Sequence, residues 1–546
     1  MKWLKFLKDI NRDVKSFFDI KAQGYLNDIP VYKPQKNTDS NCILLISPFN
    51  GVDEIFIEAR KLGFHRIQIG NILELISTYD YNETAEIFLK DLFAINSERR
   101  YDIVVRYLAI DAYYGKNDYG FELYKKMQVT RTGYDFVENQ FRNLIHSFDI
   151  NGYDKDSFVT VFDDNLHIAD GAHRIALCLY HNIKNISIKF ISHDKSKETY
   201  YGLKWFMENG FNDKEIELIK DKADRLFQRF NSGEYTGVFW GSTLPFVEEA
   251  ISDLRTTGVA TNIVHRKFKR EEYNNLIKAI YKIDDKLDFS RIDEKIFHLG
   301  QYPPEIVSFN LKMDLNYRIR KDNHLPISLN GEKIKKLIRE KYKSRLDHYY
   351  SDVILSVANN LLQSDYINTI LSPKINFIDI LNKISDFNYV LMGIDVPYMP
   401  EDFPQSIPVG KNIDIIVLPN EYKLLVDNLN KISNTYNKQY EIIFIEKSNT
   451  HSQIRYEKFK KLIFMLDIFC DIEELNDKFV KDTIDSRIKK NEYFVSGIFY
   501  EYLYRLLQYS KNKNEWWHYK FLFDNKTIYD NEKIKKYSKI KLEIIQ

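Results

Sequence analysis

Hydrophobic and polar residues alternate with two different periods along the chain, and each change of period marks a predicted element. An apolar run at 42–47, a helix-period segment at 48–64 and a second apolar run at 65–70 predict a strand–helix–strand unit. Neither G-x-x-x-x-G-K-[ST] nor G-x-G-x-x-G follows the first run. The two common glycine-rich nucleotide sites are therefore not expected in this unit.

The segment at 136–200 has the most regular pattern. Apolar residues at helical spacing predict a helix over 136–150. Strands over 158–162 and 166–169, a helix over 175–180 and a strand over 186–190 follow. Residues 201–235 are charged and helical in pattern, which is typical of a connector.

A second series begins at residue 236. A strand over 237–241 precedes a helix over 242–254 that we expect Ser242 or Thr243 to cap. Helices are predicted over 325–365, and strands at 389–392, 413–418, 441–446 and 462–469 precede C-terminal helices. The fold class is thus α/β and α+β multidomain, with divisions at 1–95, 96–200, 201–235, 236–370 and 371–546.

Composition narrows the class of protein. With 546 residues, the chain is long enough for several domains at about 150 residues each. Hydrophobic residues make up 44% and charged residues 29%, which excludes a disordered chain. The net charge of +1 shows no excess of positive charge for binding nucleic acid. No apolar stretch is long enough for a transmembrane segment. Three scattered cysteines form no disulfide framework, so we expect a cytoplasmic protein.

Residues 170–174, Asp-Gly-Ala-His-Arg, carry the most specific chemical signal. A strand leads into Asp170, Gly171 permits a tight turn, and His173 and Arg174 fall in the first turn of a helix, where free amides favour an anion. Arg174 is suited to phosphate, His173 titrates near neutral pH, and Asp170 can hold Mg²⁺ or deprotonate a hydroxyl. The alternative interpretation is an ordinary Asp-Gly turn with a solvated His-Arg helix cap.

With these residues in place, the segment at 144–190 resembles the core of the ParB/sulfiredoxin-like superfamily. Members of that superfamily bind nucleotide phosphates at this turn, and the D-G-x-H-R form is most similar to the kinases that act on free serine. The arginine-rich second motif of the partition proteins has no counterpart here. Ala172 stands where the sulfinic acid reductase has cysteine. Partition and reductase activities are therefore both disfavoured.

The resemblance implies a site for ATP or another nucleotide with Mg²⁺, together with a small-molecule substrate. Upstream, residues 106–131 contain polar side chains that either complete this pocket or form a surface turn and salt bridges. The expected catalytic residues are Asp170, His173 and Asp111, and the expected nucleotide- or phosphate-binding residues are Gly171, Ala172, Arg174 and Arg106.

The C-terminal segment resembles a degenerate nucleotidyltransferase of the polymerase-β type. Gly393 takes the place of the turn glycine, and Asp414 and Asp467 take the places of the second and third metal-binding acids. Asn412 stands at the position of the first acid, and losing an anionic ligand weakens a Mg²⁺ site. The resemblance implies that Asp414 and Asp467 bind metal. The alternative is that both merely end strands.

Three functions are compatible with these observations. The first is a nucleotide-dependent, kinase-like phosphotransferase acting on a small hydroxyl substrate, a sugar or an amino acid. Joined domains of these two types resemble proteins of capsule or other surface-polysaccharide biosynthesis. The second is a nucleotide-binding scaffold or regulatory protein without turnover. The third is a ParB-like DNA-binding protein or nuclease, which the balanced charge disfavours.

Overall fold

The computed structural model describes residues 84–539 with gaps at 133–137, 194–197, 199, 284–288, 322, 348, 351–352, 491 and 514. Of the first 83 residues it describes 17–18, 24–26, 29–36, 44–46, 59, 61–64 and 67–69. The chain forms two compact units. Unit 1 comprises residues 1–233, 313–332 and 359–362, and unit 2 comprises residues 234–312, 333–358 and 363–546.

The N-terminal part of unit 1 contains two small sheets. Strands β1 (Phe17–Phe18), β2 (Gly24–Leu26) and β3 (Ile29–Tyr32) form one sheet in the order β1-β3-β2. Strands β4 (Leu44–Ile46) and β5 (Ile67–Ile69) pair in parallel, as the predicted strand–helix–strand unit requires. Most of the helix predicted between them lies outside the described residues.

The main part of unit 1 is a four-stranded sheet with helices. Its elements are β6 (Thr84–Phe88), α1 (Leu89–Asn96), α2 (Tyr101–Tyr113), α3 (Gly120–Thr132), α4 (Glu138–Asn151), β7 (Val159–Phe162), β8 (Ile168–Asp170), α5 (Ala172–Tyr180) and β9 (Asn185–Ile191). The strand order is β6-β9-β7-β8. The order of elements predicted over 136–190 is confirmed. Helix α2 is buried on every side from Asp102 to Asp111, which places it at the centre of the core.

The segment predicted as a connector packs into this same core. It forms α6 (Leu203–Glu208) and α7 (Asp213–Phe230). Helix α7 begins with a capping box between Asn212 and Glu215. It buries Ile219, Ala223, Leu226 and Phe230, whose spacing of three and four residues gives one apolar face.

The next segment forms a second four-stranded sheet. Its elements are β10 (Ser232–Trp240), a 3₁₀ turn (Gly241–Phe246), α8 (Val247–Thr257), β11 (Val259–Lys267), α9 (Arg270–Lys282), α10 (Phe289–Leu299), β12 (Glu305–Asp314), β13 (Tyr317–Ile319), β14 (Pro326–Ser328), α11 (Leu329–Tyr342), a 3₁₀ turn (Lys343–Arg345) and β15 (Leu355–Val357). The sheet order is β11-β12-β10-β15, and β13 and β14 form a separate antiparallel pair.

Two predictions in this segment are wrong. Helix α8 begins at Val247 because a 3₁₀ turn precedes it, and the hydroxyls of Ser242 and Thr243 donate to backbone carbonyls at 353–354 instead of capping a helix. Both side chains are fully buried, so they present no anion site. The helical prediction over 325–365 also fails locally, since α11 ends at Tyr342 and 355–357 forms β15.

Asp91 of α1 bonds two segments of unit 1 that come much later in the sequence, residues 313–332 and 359–362. It is fully buried, and its carboxylate accepts hydrogen bonds from the Tyr317 hydroxyl and, at 3.1 Å, from the Leu361 backbone N–H. One carboxylate of unit 1 thus bonds both the 313–332 segment and the 359–362 segment. Burial raises the pKa of Asp91 to about 7, against the opposing effect of these two hydrogen bonds.

The remaining chain forms a seven-stranded mixed sheet with helices. The elements are α12 (Leu361–Leu371), α13 (Phe377–Lys383), β16 (Tyr389–Met392), β17 (Asn412–Val417), α14 (Pro419–Ser433), a 3₁₀ turn (Asn434–Tyr436), β18 (Glu441–Ser448), β19 (His451–Lys458), β20 (Lys461–Phe469), α15 (Lys478–Asp485), β21 (Ile488–Lys490), β22 (Tyr493–Val495), α16 (Ile498–Lys511), α17 (Trp516–Asp524), a 3₁₀ turn (Lys526–Ile528) and α18 (Asn531–Tyr537). The order is β18-β19-β20-β17-β16-β22-β21. All four predicted strands are present, whereas β19, β21 and β22 were not predicted.

The mixed α/β, multi-unit class is confirmed. Within the described ranges, every helix is too short or too polar to cross a bilayer.

Candidate functional site

A pocket of about 180 Å³ lies in unit 1 at the start of α5. It brings together the predicted turn and side chains from the region of α2 and α3. Of the predicted residues, Asp170, Gly171, Ala172, His173 and Arg106 line it. Four further residues complete the lining: Arg100, Gln128, Arg131 and Ala169.

The turn at Gly171 gives the pocket its floor. Strand β8 ends at Asp170, which pairs with Thr160 of β7. Gly171 has a φ of +102°, and a Cβ at this position would approach Val159 atoms at 3.0–3.3 Å, so only glycine fits. Helix α5 begins at Ala172, which leaves the amides of its first turn without acceptors inside the helix. The turn therefore presents free N–H groups and the positive end of a helix.

Three arginines form the wall of the pocket. Arg100 binds Asp102 through Nε at 2.8 Å and Nη2 at 3.0 Å, and it donates to the Ile168 carbonyl at 2.5 Å. Arg106 donates through Nη1 to the carboxylate of Asp102 at 2.9 Å and to its carbonyl at 2.8 Å. Burial alone would raise the pKa of Asp102, yet the two guanidinium groups hold it well below the ordinary value. Asp102 is therefore ionised.

The wall carries an excess of positive charge. Arg131 donates through Nη1 to Gln128 at 2.8 Å, and its guanidinium lies 4.2 Å from the centre of the Tyr201 ring. Burial lowers the pKa of Arg106 only to about 10, so this guanidinium stays charged at neutral pH. Three guanidinium groups thus face the two carboxylates of Asp102 and Asp170.

Two buried donors in this wall have no acceptor among the residues that the structure describes. The Nε atoms of Arg106 and Arg131 are buried and make no hydrogen bond within the described part of the chain. Buried polar groups are nearly always paired, with water or a ligand where protein supplies no partner. Charged N–H donors form their strongest hydrogen bonds to anionic oxygens. Together with the amides of α5, the arginines that line the pocket suit an oxyanion such as a phosphate group.

His173 differs from the expectation that it titrates near neutral pH. Its Nε2 lies 2.9 Å from the Tyr124 hydroxyl, and its ring lies edge-on to Phe141 with centroids 4.8 Å apart. Burial, and then the charges of Arg106 and Arg131, lower the pKa of His173 well below its ordinary value. The imidazole is therefore neutral at physiological pH.

The structure leaves two predicted residues outside this pocket. Arg174 donates to the carbonyl of Phe158 and does not line the pocket, although it follows His173 directly. Asp111 lies near the end of α2, where its carboxylate accepts from Lys222 at 2.6 Å. A partly buried ion pair explains this aspartate, and the expected catalytic role of Asp111 has no support from its position.

Sequence reasoning missed Arg100 and Gln128, and it considered Arg131 only among the upstream polar residues that either complete the pocket or form salt bridges. Their neighbours in the sequence are ordinary helical residues, so no local motif marks them. One signal was present: Arg106 stands within an otherwise apolar stretch of α2, at a position that must be buried. A buried arginine needs a carboxylate or a ligand, and that requirement points to Asp102 and the pocket.

The predicted acids of the C-terminal sheet do lie side by side. Asp414 of β17 and Asp467 of β20 are register partners on parallel strands. Asp414 accepts from Asn412 Nδ2 at 2.5 Å and from the Tyr504 hydroxyl at 2.7 Å. The carboxylate of Asp467 bonds His451 Nε2 and, at 3.2 Å, Gln453 Nε2. All four carboxylate oxygens therefore already have side-chain partners.

These contacts do not fit a Mg²⁺ site. A third carboxylate, Glu501, is committed to Arg505 Nε at 2.7 Å and to the N–H of Gly393 at 3.1 Å. Burial, and then the nearby charge of Asp467, raise the pKa of Asp414 to about 7, which weakens it as a ligand. Among the described residues, no group of three His, Cys, Asp or Glu side chains has the arrangement of a metal site.

No protein-family model, curated protein or solved structure matches this chain. Both family resemblances therefore remain expectations drawn from short motifs.

Proposed function

We propose that unit 1 is a nucleotide-dependent phosphotransferase domain. It binds the phosphate chain of ATP or another nucleotide and transfers a phosphoryl group to a small hydroxyl substrate, a sugar or an amino acid. One observation carries the proposal: three arginines and the start of α5 converge on one pocket that Asp170 also lines. Positive groups positioned around a transferred phosphoryl group are the main source of catalysis in this class of reaction.

The size of the pocket limits what it holds. At about 180 Å³, it is smaller than the roughly 300–1,000 Å³ typical of small-molecule sites. A phosphate group fits this volume, and a whole nucleotide does not. In the proposal, the terminal phosphate lies against the arginine wall and the nucleoside lies outside the pocket.

The chemistry assigns Asp170 as the base. The substrate hydroxyl oxygen forms a bond to the terminal phosphorus while its proton passes to the Asp170 carboxylate. The bond from that phosphorus to the bridging oxygen breaks, and the nucleoside diphosphate leaves with the electron pair. Asp170 and the nucleotide phosphates would together hold Mg²⁺, since such sites combine one or two carboxylates with substrate phosphates. Bound Mg²⁺ would neutralise phosphate charge.

A scaffold that binds nucleotide without turnover is the second candidate function. The observation that favours it is in unit 2, where the oxygens of Asp414 and Asp467 already have protein partners. Capsule or other surface-polysaccharide biosynthesis stays the pathway that the joined-domain resemblance implies for either function.

Nucleotide titration of the full chain tests the proposal. ATP, ADP, CTP and GTP are titrated with Mg²⁺ into the wild type, Arg131→Gln and the matched control Arg142→Gln, whose side chain is 41% exposed on α4. We expect Arg131→Gln to weaken binding about tenfold or more, as for a lost charged hydrogen bond, and Arg142→Gln to leave it unchanged. No binding, or equal binding by all three proteins, would contradict the site.

Turnover separates the two candidate functions. Hydrolysis of the bound nucleotide, and phosphorylation of sugars and amino acids in a substrate screen, are measured with Asp170→Asn and the exposed control Asp164→Asn. Phosphotransfer predicts slow hydrolysis that Asp170→Asn abolishes while binding persists. Binding with no hydrolysis by the wild type would favour the scaffold.

A further inference from the structure

Four side chains of unit 1 form a continuous hydrogen-bonded chain that ends at His173. Arg131 Nη1 donates to Gln128 Oε1 at 2.8 Å, and Gln128 Nε2 donates to the Tyr124 hydroxyl at 3.3 Å. The Tyr124 hydroxyl lies 2.9 Å from His173 Nε2. Tyr124 is fully buried and Gln128 is 5% exposed, so bulk water does not compete with these bonds.

The direction of the chain follows from what each group can donate. Arginine has no acceptor, so Arg131 must donate and the carbonyl oxygen of Gln128 must accept. The amide nitrogen of Gln128 then faces Tyr124 and can only donate. With that donor on its oxygen, the Tyr124 hydroxyl directs its own proton to His173 Nε2, the acceptor that lies 2.9 Å away.

The opposite arrangement leaves a buried donor unpaired. If His173 carried its proton on Nε2, the Tyr124 oxygen would receive two donors, and its hydroxyl proton would have no acceptor among the side chains that the structure describes. An unpaired buried donor is costly, so this state is disfavoured. Burial raises the pKa of Tyr124, which keeps its hydroxyl protonated and able to donate. The low pKa of His173 agrees with a neutral ring that accepts at Nε2.

We infer that Arg131, Gln128 and Tyr124 are positioning residues that fix His173 as the neutral tautomer with its proton on Nδ1. The ring nitrogen left for a ligand is then a hydrogen-bond donor with no lone pair to act as a base. His173 also lines the pocket, so it joins the arginine N–H groups in donating to a bound oxyanion. Among residues 170–174, Asp170 is then the pocket residue that is left to accept a proton.

Phe141 and Tyr124 hold the ring in this orientation. The rings of Phe141 and Tyr124 lie 4.8 Å and 5.8 Å from the His173 ring, each in an edge-to-face arrangement. The tautomer is a property of the free protein. Its role as a donor to the terminal phosphate rests on the proposed function.

Nitrogen-15 NMR of the histidine rings in the full, ligand-free chain tests the inference. The wild type, labelled at histidine, is compared with Tyr124→Phe and with Tyr119→Phe. Tyr119 lies at the start of α3 and is not one of the four hydrogen-bonded side chains, so Tyr119→Phe is the matched control. The His173 signals are assigned with His173→Asn. We expect a bare nitrogen at Nε2 and a protonated Nδ1 in the wild type and in Tyr119→Phe. Tyr124→Phe removes the donor to Nε2, and the Nε2-protonated tautomer should appear.

Gln128→Glu gives a sharper result. A glutamate at this position accepts from Arg131 and also from Tyr124, so the Tyr124 hydroxyl turns toward it and His173 must donate from Nε2. We expect the tautomer to reverse with little change in side-chain shape. Circular dichroism identifies any variant that fails to fold, and Tyr124→Phe then decides the test alone.

The failures of the two proposals are distinguishable. A wild-type His173 protonated at Nε2, or a tautomer that Tyr124→Phe leaves unchanged, would overturn the inference even if nucleotide binds. If the protein shows the predicted tautomer but binds no nucleotide, the inference about the hydrogen bonds stands and the proposed function is overturned. If both hold, Tyr124→Phe should weaken ATP binding about tenfold, and Tyr119→Phe should not.

Discussion

Asp91→Asn should remove a pH dependence of stability that the buried carboxylate introduces into unit 1. The folded-state pKa of Asp91 is about 7, against 3.8 for an ordinary aspartate. Between these values the folded protein holds a proton that the unfolded chain has released, so stability falls as the pH rises. This contribution is fully present below the unfolded pKa and is lost as the pH passes the folded one.

The size of the effect follows from the shift in pKa. Each pKa unit corresponds to about 1.4 kcal/mol, so a shift of about three units amounts to roughly 4 kcal/mol of unfolding free energy between pH 4 and pH 7. Local rearrangement of the Tyr317 and Leu361 partners reduces it, and we expect roughly 2–4 kcal/mol. Asparagine does not titrate and keeps an oxygen for the Leu361 N–H.

Thermal unfolding of the full chain across this pH range is the assay. The transition of unit 1 is followed in the wild type, in Asp91→Asn and in Asp118→Asn, an exposed aspartate of the same unit. We expect the stability difference between the wild type and Asp91→Asn to shift against the wild type as the pH rises, and Asp118→Asn to follow the wild type. Parallel curves for all three proteins would contradict this expectation, because they would show that Asp91 does not carry the proton.

Three further changes have expected outcomes. In chemical unfolding, Gly171→Ala should destabilise unit 1 by roughly 1–3 kcal/mol more than Gly210→Ala. Both glycines have a positive φ, but of the two only a Cβ at Gly171 would meet Val159. Equal losses of stability would contradict this. Tyr504→Phe leaves Asp414 without one donor and should cost roughly 1–3 kcal/mol in unit 2; an unchanged melting temperature would count against that bond. Added Mg²⁺ should not raise the melting temperature of unit 2, and a rise that Asp414→Asn abolishes would show that the site binds metal after all.

The elements around the pocket were predictable because their signals are local. The strand–turn–strand–helix order over 158–180 depends on runs of apolar residues and on the glycine at 171, and a short window of sequence contains both. The misplaced start of α8 has the opposite cause. Ser242 and Thr243 have the composition of a helix cap, but their hydroxyls are buried against carbonyls more than a hundred residues later in the chain.

The arginine wall was not predictable for the same physical reason. Arg100 donates to the carbonyl of Ile168, and the guanidinium of Arg131 lies 4.2 Å from the centre of the Tyr201 ring. Both partners are distant in the sequence, so neither contact can be read from a local window. A sequence window shows that an arginine is charged, and it does not show that the charge is buried. For Asp414 and Asp467, the sequence predicted that the two acids lie next to each other, but it did not predict the side chains that donate hydrogen bonds to them.

The two sites therefore differ in what they lack. In the described part of the chain, Arg106 and Arg131 of the unit 1 pocket have buried donors without acceptors, and the pocket has an excess of positive charge. Around Asp414 and Asp467 the acceptors already have donors, and the pKa of Asp414 is raised to about 7. An anionic ligand completes the first arrangement, whereas a cation must displace existing bonds in the second. Nucleotide turnover that survives Arg131→Gln but not Asp414→Asn would reverse this assignment.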